Sequence, residues 1–322
     1  MGKAAALLAA ALLTAALGSC GGGGAEPGAP QGVTLVLDFQ PNAVHAGIYT
    51  ALARGLYEDA GTDLDVREPS ASSDAPKLLE SDRAQFAILD IHDLGLARER
   101  GFDVVGVAPI VQRPLAAVIA ADRDAVRRPA DLVADRVGVT GLPSDDAVLD
   151  SVLEADGVDP GSVDRVTIGF DAVAALAGGQ VDAATAFWNA EGVALRRRGV
   201  PTREFRVDRY GAPRYPELVL VTTRALIDDD PGLVEAVVGA TMEGYRLAVT
   251  DPEAALDDLL AGAEGLDRSE QQAQLEGLEP ALSPVGRLDP AVLRAWSRWD
   301  AEHGILEQPV DVGAAFDTSF VD

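Results

Sequence analysis

The chain has 322 residues, enough for one large core or for two lobes. Apolar residues make up 48% of it and charged residues 24%, as in an ordinary soluble globular protein. Its 52 acidic residues outnumber its 26 basic ones, and a net charge of −26 argues against nucleic-acid binding and against docking on an anionic membrane surface.

The N-terminus predicts a targeting segment rather than part of the fold. Lys3 precedes an apolar run over residues 4–17, which is short for a membrane-spanning helix. The sequence LGSC that ends at Cys20 resembles a bacterial lipobox, which implies that residues 1–19 are a signal peptide and that Cys20 carries lipid. An ordinary signal peptide with an incidental cysteine is the alternative. Cys20 is the only cysteine, so no intramolecular disulfide is expected, and residues 20–32 predict a Gly/Pro-rich flexible tether.

The folded part opens with a strand, a turn and a helix. An apolar run over residues 33–37 predicts a short buried strand that ends at Asp38, and a Pro-Asn turn follows. Helically spaced apolar residues then predict a helix that stops at Gly55. Asp38, Asn42 and His45 therefore lie in or beside a strand-to-helix turn, where open α/β sheets bind small ligands. The alternative is a capping turn whose polar groups are already satisfied.

This stretch resembles the opening signature of substrate-binding proteins of bacterial ABC importers, in the branch for thiamine pyrimidine precursors. The wider superfamily also holds nitrate, sulfonate and taurine binders. The shared features are an Asp-aromatic pair, a Pro-Asn turn, a His and a Gly-aliphatic-Tyr helix, here Asp38-Phe39, Pro41-Asn42, His45 and Gly47-Ile48-Tyr49. Phe39 replaces the more usual Trp. The resemblance covers nearly the whole mature chain and implies a two-lobed periplasmic-binding-protein fold of type II.

The elements that follow alternate between strand and helix, which predicts an α/β fold with mainly parallel sheets covered by helices on both faces. The predicted strands are residues 64–67, 85–89, 104–111, 113–120, 136–140, 163–168, 183–187 and 216–223. Helices are predicted at residues 94–100, 144–155, 173–177 and 191–198, and the chain after residue 230 is predicted to be mostly helical. The strands at 113–120 and 216–223 cross between lobes, which predicts a hinge. Lobe 1 is then residues 33–115 and 217–322, and lobe 2 is residues 116–216.

Polar residues follow four of the predicted strands at their carboxyl ends, two in each lobe, so all four turns can face one cleft. The candidate ligand-binding residues are Asp38, Phe39, Asn42, His45 and Tyr49 from the first turn and helix, Asp90 and His92 from the second turn, Gly141, Ser144 and Asp145 from the third, and Trp188, Asn189 and Glu191 from the fourth. The resemblance implies that Glu191 faces the pyrimidine and that the third turn lines the wall of lobe 2. Each has a plainer interpretation: Ser144 as a helix N-cap, Trp188 as core and His92 as a hydrogen-bonded loop residue.

The side chains in these turns favour one ligand chemistry. A carboxylate only accepts hydrogen bonds, so Asp38, Asp90 and Glu191 suit an exocyclic amine or a ring N–H. Aromatic rings offer flat surfaces on which a heteroaromatic ring can stack, here Phe39, Tyr49 and Trp188. A nitrate or sulfonate site would need Arg, hydroxyls or free helix N–H groups, and none of the four turns contains an Arg.

Together these observations predict an extracytoplasmic lipoprotein that passes a thiamine-precursor aminopyrimidine or similar heterocycle to an ABC permease and its ATPase. It is expected to be a monomer held to the membrane only by its lipid. Riboflavin or taurine/sulfonate on the same fold is the alternative ligand. Eukaryotic relatives of this fold are pyrimidine-synthesis enzymes that use a His, a Lys-bound pyridoxal phosphate and a cysteine cluster for iron. Here no cysteine follows Cys20, and Lys77 is the only lysine outside the signal segment. No GxGxxG, P-loop, HExxH or GxSxG motif is present, so no enzyme activity, cofactor or metal is predicted.

Overall fold

A computed structural model describes residues 30–69, 75–122 and 126–321 of the chain. The predicted signal peptide, Cys20 and most of the tether lie outside the described residues. The strands are β1 (Gln31–Val36), β2 (Thr62–Arg67), β3 (Phe86–Asp90), β4 (Val104–Pro109), β5 (Ala116–Ala121), β6 (Arg136–Val139), β7 (Asp164–Thr167), β8 (Ala183–Phe187), β9 (Thr202–Arg206) and β10 (Leu218–Thr223).

The helices divide into a group that alternates with the strands and a C-terminal group. The first group is α1 (Ala46–Ala53), α2 (Leu56–Asp59), α3 (Ala75–Glu80), α4 (Ile91–Glu99), α5 (Pro143–Ala155), α6 (Ala172–Ala177) and α7 (Glu191–Arg197). The second is α8 (Arg224–Asp229), α9 (Pro231–Thr250), α10 (Pro252–Gly262), α11 (Arg268–Leu282), α12 (Pro290–Glu302) and α13 (Val312–Ala315). No helix in the described ranges is long and apolar enough to cross a membrane.

Two five-stranded sheets form the frame, in the orders β2-β1-β3-β10-β4 and β7-β6-β8-β5-β9. We call the first sheet and its helices lobe 1, and the second sheet and its helices lobe 2. In lobe 1, β1 is parallel to β2 and β3, whereas β10 is antiparallel to β3 and β4. Lobe 2 repeats this arrangement, with β5 antiparallel to β8 and β9. Four of the five strands in each sheet run in the same direction, which agrees with the predicted mainly parallel sheets. The strand that enters each sheet from the other lobe runs against its neighbours and makes the sheet mixed.

The chain passes between the sheets twice, at residues 110–115 and 207–217, next to the predicted lobe boundaries. The two crossing segments lie side by side, since the backbone N–H of Leu115 donates to the carboxylate of Glu217. Strand β9 was not predicted, because only Phe205 of its five residues is buried and the pattern is too polar for a core strand. It forms an edge of the lobe 2 sheet.

The C-terminal helices pack back onto lobe 1, as predicted. Helix α9 begins at Pro231, where Asp230 caps it by accepting a hydrogen bond from the backbone N–H of Leu233 at 3.0 Å. It then crosses α1 so closely that a Cβ built on Gly244 would lie 2.1 Å from the carbonyl oxygen of Gly47. This contact presses the helix of the first predicted turn against the body of lobe 1 and so fixes where that turn sits.

Candidate functional site

The first turn is fixed by a chain of hydrogen bonds that ends on Asp38. The backbone N–H of Asn42 donates to Nδ1 of His45 at 3.2 Å. The proton of the neutral imidazole is then on Nε2, which donates to Oδ1 of Asp38 at 2.8 Å. His45 is fully buried, whereas the side chain of Asp38 is 17% exposed. Both ring nitrogens of His45 are used within the protein, so His45 orients the carboxylate of Asp38, which stays partly exposed.

The two candidate residues of the second turn differ in exposure: Asp90 is partly exposed, whereas His92 lies in the interior of lobe 1. Asp90 ends β3 and caps α4, accepting a hydrogen bond from the backbone N–H of His92 at 2.8 Å. Asp93 lies near Asp38: burial raises the pKa of Asp93, and the negative charge of Asp38 raises it further. His92 is buried, with Nδ1 2.9 Å from Oδ2 of Asp300. Its ring is thus held by a residue of α12, as a hydrogen-bonded histidine of the interior.

The third turn begins where β6 ends. Gly141 adopts φ +94°, a conformation that favours glycine, and so lets the chain reverse before α5. Asp145 accepts a hydrogen bond from the backbone N–H of Thr140 at 2.9 Å, which closes the turn. The prediction that Ser144 is the N-cap is wrong, because the helix begins at Pro143 and Leu142 occupies the cap position. Proline is well suited to a first helical position, since it has no N–H to satisfy.

The fourth turn joins β8 to α7 and holds two further acceptors. Oε2 of Glu191 accepts a hydrogen bond from the backbone N–H of Phe187 at 3.0 Å. Burial raises the pKa of Glu191, backbone N–H groups lower it, and the charge of Asp145 raises it. The charges of Asp145 and Glu191 therefore influence each other in lobe 2, as those of Asp38 and Asp93 do in lobe 1. Oδ1 of the buried Asn189 has no hydrogen-bond partner among the described residues.

Two of the three predicted aromatic surfaces are covered by the protein itself. Trp188 is buried, its Nε1 donates to the carbonyl oxygen of Pro114 at 3.1 Å, and the guanidinium of Arg206 lies 3.9 Å from its ring centroid. Trp188 thus ties β8 to the first crossing segment. Tyr49 packs against α10, where a Cβ on Gly262 would lie 2.6 Å from its ring. Neither ring therefore offers an open face on which a ligand could stack.

The third predicted aromatic residue, Phe39, meets a residue that the sequence did not single out. Phe39 is 47% exposed and Phe170 of lobe 2 is 66% exposed, and their ring centroids are 6.3 Å apart. Phe170 follows the carboxyl end of β7, so an aromatic residue beyond a predicted strand end was the available signal. This pair is a contact between exposed aromatic rings of the two lobes, next to the ends of β1 and β7.

A concave region lies outside the four turns and has the opposite charge. It is a hollow of about 390 Å³ along β9, lined by Arg196, Thr202, Arg203, Glu204, Arg206 and Arg209. None of the predicted ligand-binding residues lines it. The walls of this hollow offer cationic donors, whereas the four turns offer carboxylate acceptors. We take the four turns as the candidate site because they carry aromatic and acidic groups from both lobes.

A comparison with known protein families finds a match to this chain. The family model described as NMT1/THI5 like matches residues 42–255, which is more than half of the chain. The chain belongs to the NMT1/THI5-like family. The matched range contains the second, third and fourth turns and begins inside the first.

Individual relatives agree with this NMT1/THI5-like membership. The formylaminopyrimidine-binding protein of Halalkalibacterium halodurans is 31% identical over 293 residues, which cover 88% of this chain and 89% of the relative. The riboflavin-binding protein RibY of Chloroflexus aurantiacus is 26% identical over 311 residues, covering 90% and 86%. The crystal structure of the periplasmic aliphatic sulphonate binding protein SsuA from Escherichia coli superposes with a TM-score of 0.74 at 16% identity, covering 89% of this chain and 97% of that one. This likeness confirms the predicted two-lobed periplasmic-binding-protein fold.

Proposed function

We propose that this chain is an extracytoplasmic solute-binding lipoprotein of an ABC importer, and that it binds a thiamine-precursor aminopyrimidine or a similar heterocycle between its lobes. The observation that carries the proposal is the set of acceptors at the strand ends: Asp38 in lobe 1 and Glu191 in lobe 2, each held in place by the protein. Its partners are then a permease and that permease's ATPase. The chain acts as a monomer and does not bind nucleic acid.

The ligand is held by hydrogen bonds from its own N–H groups. Glu191 uses one oxygen on the backbone N–H of Phe187, which leaves acceptor capacity for an exocyclic amine. Asp38 is oriented by His45 and accepts from a second donor on the ring. Phe39 and Phe170 cover the heterocycle at the mouth of the cleft, where each ring is otherwise exposed. The likeness to a formylaminopyrimidine-binding protein over most of both chains supports this ligand class.

Riboflavin is the alternative ligand with the most support, because the riboflavin-binding relative also matches over most of the chain. A sulfonate is less well matched to the site. Sulfonate oxygens are acceptors, and the carboxylates of the four turns would repel them. The arginines that would suit an anion line the hollow along β9 instead.

A binding role is also better supported than pyrimidine synthesis. A synthesis enzyme of the kind implied by the resemblance needs a lysine for pyridoxal phosphate and cysteines for iron. Lys77, the lysine outside the signal segment, is exposed on α3, and no cysteine follows Cys20. His45 is tied to Asp38 and His92 to the buried Asp300, rather than to each other.

Native mass spectrometry followed by calorimetric titration tests the proposed ligand. We expect the purified chain to bind an aminopyrimidine at one site, and to bind an alkanesulfonate weakly or not at all. Riboflavin and pyridoxal phosphate are titrated in the same way. Saturable binding of riboflavin and of no other compound would show that riboflavin, the alternative, is the ligand. Saturable binding of the sulfonate alone, or a covalent pyridoxal phosphate adduct, would overturn it.

Lipid anchoring at Cys20 is a separate part of the proposal, supported by the order of positive residue, apolar run and LGSC. We expect Cys20→Ala to move the protein from the membrane fraction to the soluble or secreted fraction, because acyl chains cannot be attached to alanine. Cell fractionation measures this, and Ser19→Ala is the matched control, since a small residue is kept before the cysteine. A Cys20→Ala variant that stays in the membrane fraction would show that something else holds the protein there.

A further inference from the structure

A buried polar cluster lies where lobe 1 meets the crossing segments. It consists of Asp90 at the end of β3, His92 in the first turn of α4, and Glu217 immediately before β10. One nitrogen or oxygen atom from each side chain lies within 4.8 Å of the others. His92 is 2% exposed and Glu217 is 1% exposed, while Asp90 retains partial exposure. Ligand atoms of a tetrahedral zinc site with bonds of about 2.1 Å are about 3.4 Å apart, so side-chain rotations that bring the three atoms closer by up to about 1.4 Å would complete the site.

The histidine of this cluster is oriented as metal-binding histidines are. Nδ1 of His92 lies 2.9 Å from Oδ2 of Asp300 and donates to it in the tautomer that leaves Nε2 without a proton. Nε2 is buried and has no hydrogen-bond partner among the described residues. A carboxylate on one ring nitrogen fixes the ring and leaves the other nitrogen free for an ion. A buried nitrogen without a partner is costly, so something is expected to bind it.

The cluster also has an excess of negative charge in a place that water hardly reaches. The carboxylates of Asp90 and Glu217 lie within 4.8 Å of each other, and Glu217 is buried. The ring centroids of Tyr215 and His92 are 4.9 Å apart. The hydroxyl of Tyr215 is also buried and has no hydrogen-bond partner among the described residues. A dication would offset the repulsion between these two close carboxylates.

We propose that Asp90, His92 and Glu217 form a binding site for a divalent transition-metal ion of the zinc type, with Asp300 as the residue that positions His92. One imidazole nitrogen and two carboxylate oxygens are a donor set that suits zinc better than calcium or magnesium, which prefer oxygen alone. Glu217 also accepts hydrogen bonds from the backbone N–H groups of Leu115 and Ala116. The ion would therefore join the first turn of α4 to both crossing segments.

Zinc content of the purified chain, without an affinity tag of histidines, tests the site. After removal of metals with a chelator and addition of excess zinc, gel filtration and elemental analysis should find about one ion per chain. Cobalt in place of zinc should give a visible absorption band. His92→Asn keeps a donor near the position of Nδ1 but removes Nε2, and it should abolish both signals. Glu217→Gln is the second variant, because a neutral amide keeps the hydrogen bonds of the protonated acid.

The expected effects are graded. Asp300→Asn should weaken zinc binding by roughly 10- to 100-fold, as loss of an outer-shell partner does, and His92→Asn should weaken it by more than that. His303→Asn is the matched control, because this histidine lies outside the cluster and should not change the zinc content. A wild-type chain that retains no zinc would overturn the proposal and leave a shared proton or a buried water as the occupant. Equal zinc retention by the wild type and both His92→Asn and Glu217→Gln would also overturn it.

Discussion

Replacing Glu191 with Gln is expected to weaken binding of an aminopyrimidine by roughly 30- to 1000-fold, or on the order of 2–4 kcal/mol. The amide can still accept from the backbone N–H of Phe187, as the carboxylate does at 3.0 Å. Its NH₂ group, however, would face the amine of the ligand, so one charge-assisted bond is lost and a buried donor is left without an acceptor. Calorimetric titration of both proteins with the same aminopyrimidine measures the difference.

The same variant should not lose stability. Burial raises the pKa of Glu191 in the folded protein, so the ionised carboxylate opposes folding at neutral pH. A group with a raised folded pKa contributes stability below its unfolded pKa and loses that contribution as the pH rises. Glu191→Gln should therefore unfold at the same temperature or a higher one at pH 7. In the wild type, ligand affinity should fall as the pH is lowered through the pKa of Glu191, because protonation removes the acceptor.

Asp164→Asn is the matched control for Glu191→Gln. Asp164 is an exposed carboxylate on β7 in the same lobe, so the variant loses the same charge away from the four turns. It should bind the aminopyrimidine as the wild type does. Equal affinity of Glu191→Gln and the wild type would remove Glu191 from the site. Tighter binding of a sulfonate by Glu191→Gln would instead support the anion alternative.

Replacing Gly244 with Ala is expected to destabilise lobe 1 by about 3 kcal/mol, at the upper end of what overpacking costs. The added Cβ would lie 2.1 Å from the carbonyl oxygen of Gly47 and 2.8 Å from Cβ of Ala51, both on α1. A backbone carbonyl cannot rotate away as a long side chain can, so α1 and α9 must move apart. The melting temperature should fall by roughly 5–10 °C. Thermal and urea unfolding followed by circular dichroism measure the change.

Gly239→Ala is the control on the same helix. Gly239 is exposed on α9, and an added Cβ there would meet nothing within 4 Å. Alanine is a better helix former than glycine by about 1 kcal/mol, so this variant should be as stable as the wild type or slightly more stable. A Gly244→Ala protein that unfolds like the wild type would mean that α1 and α9 do not approach each other so closely.

The sequence by itself determined most of the local structure. Strand β8 has the predicted bounds, and the turns after β1, β3, β6 and β8 are where apolar runs give way to polar residues. These elements follow from hydrophobic periodicity and from Pro and Gly at the breaks, which act over a few residues. The acidic character of the four turns is likewise a property of composition, and so is the absence of arginine from them. The family signature in the first turn also lies within one short stretch.

Only the tertiary structure decided which of these polar and aromatic groups are free to meet a ligand. His92 is held by Asp300, which lies 208 residues further along the chain, and no local pattern predicts that pair. Trp188 is covered by Arg206, a residue of the strand that was not predicted. Phe39 meets Phe170 only because the two sheets place their carboxyl ends face to face. Contacts between distant residues depend on how whole elements pack, and the spacing of residues along one element does not carry that information.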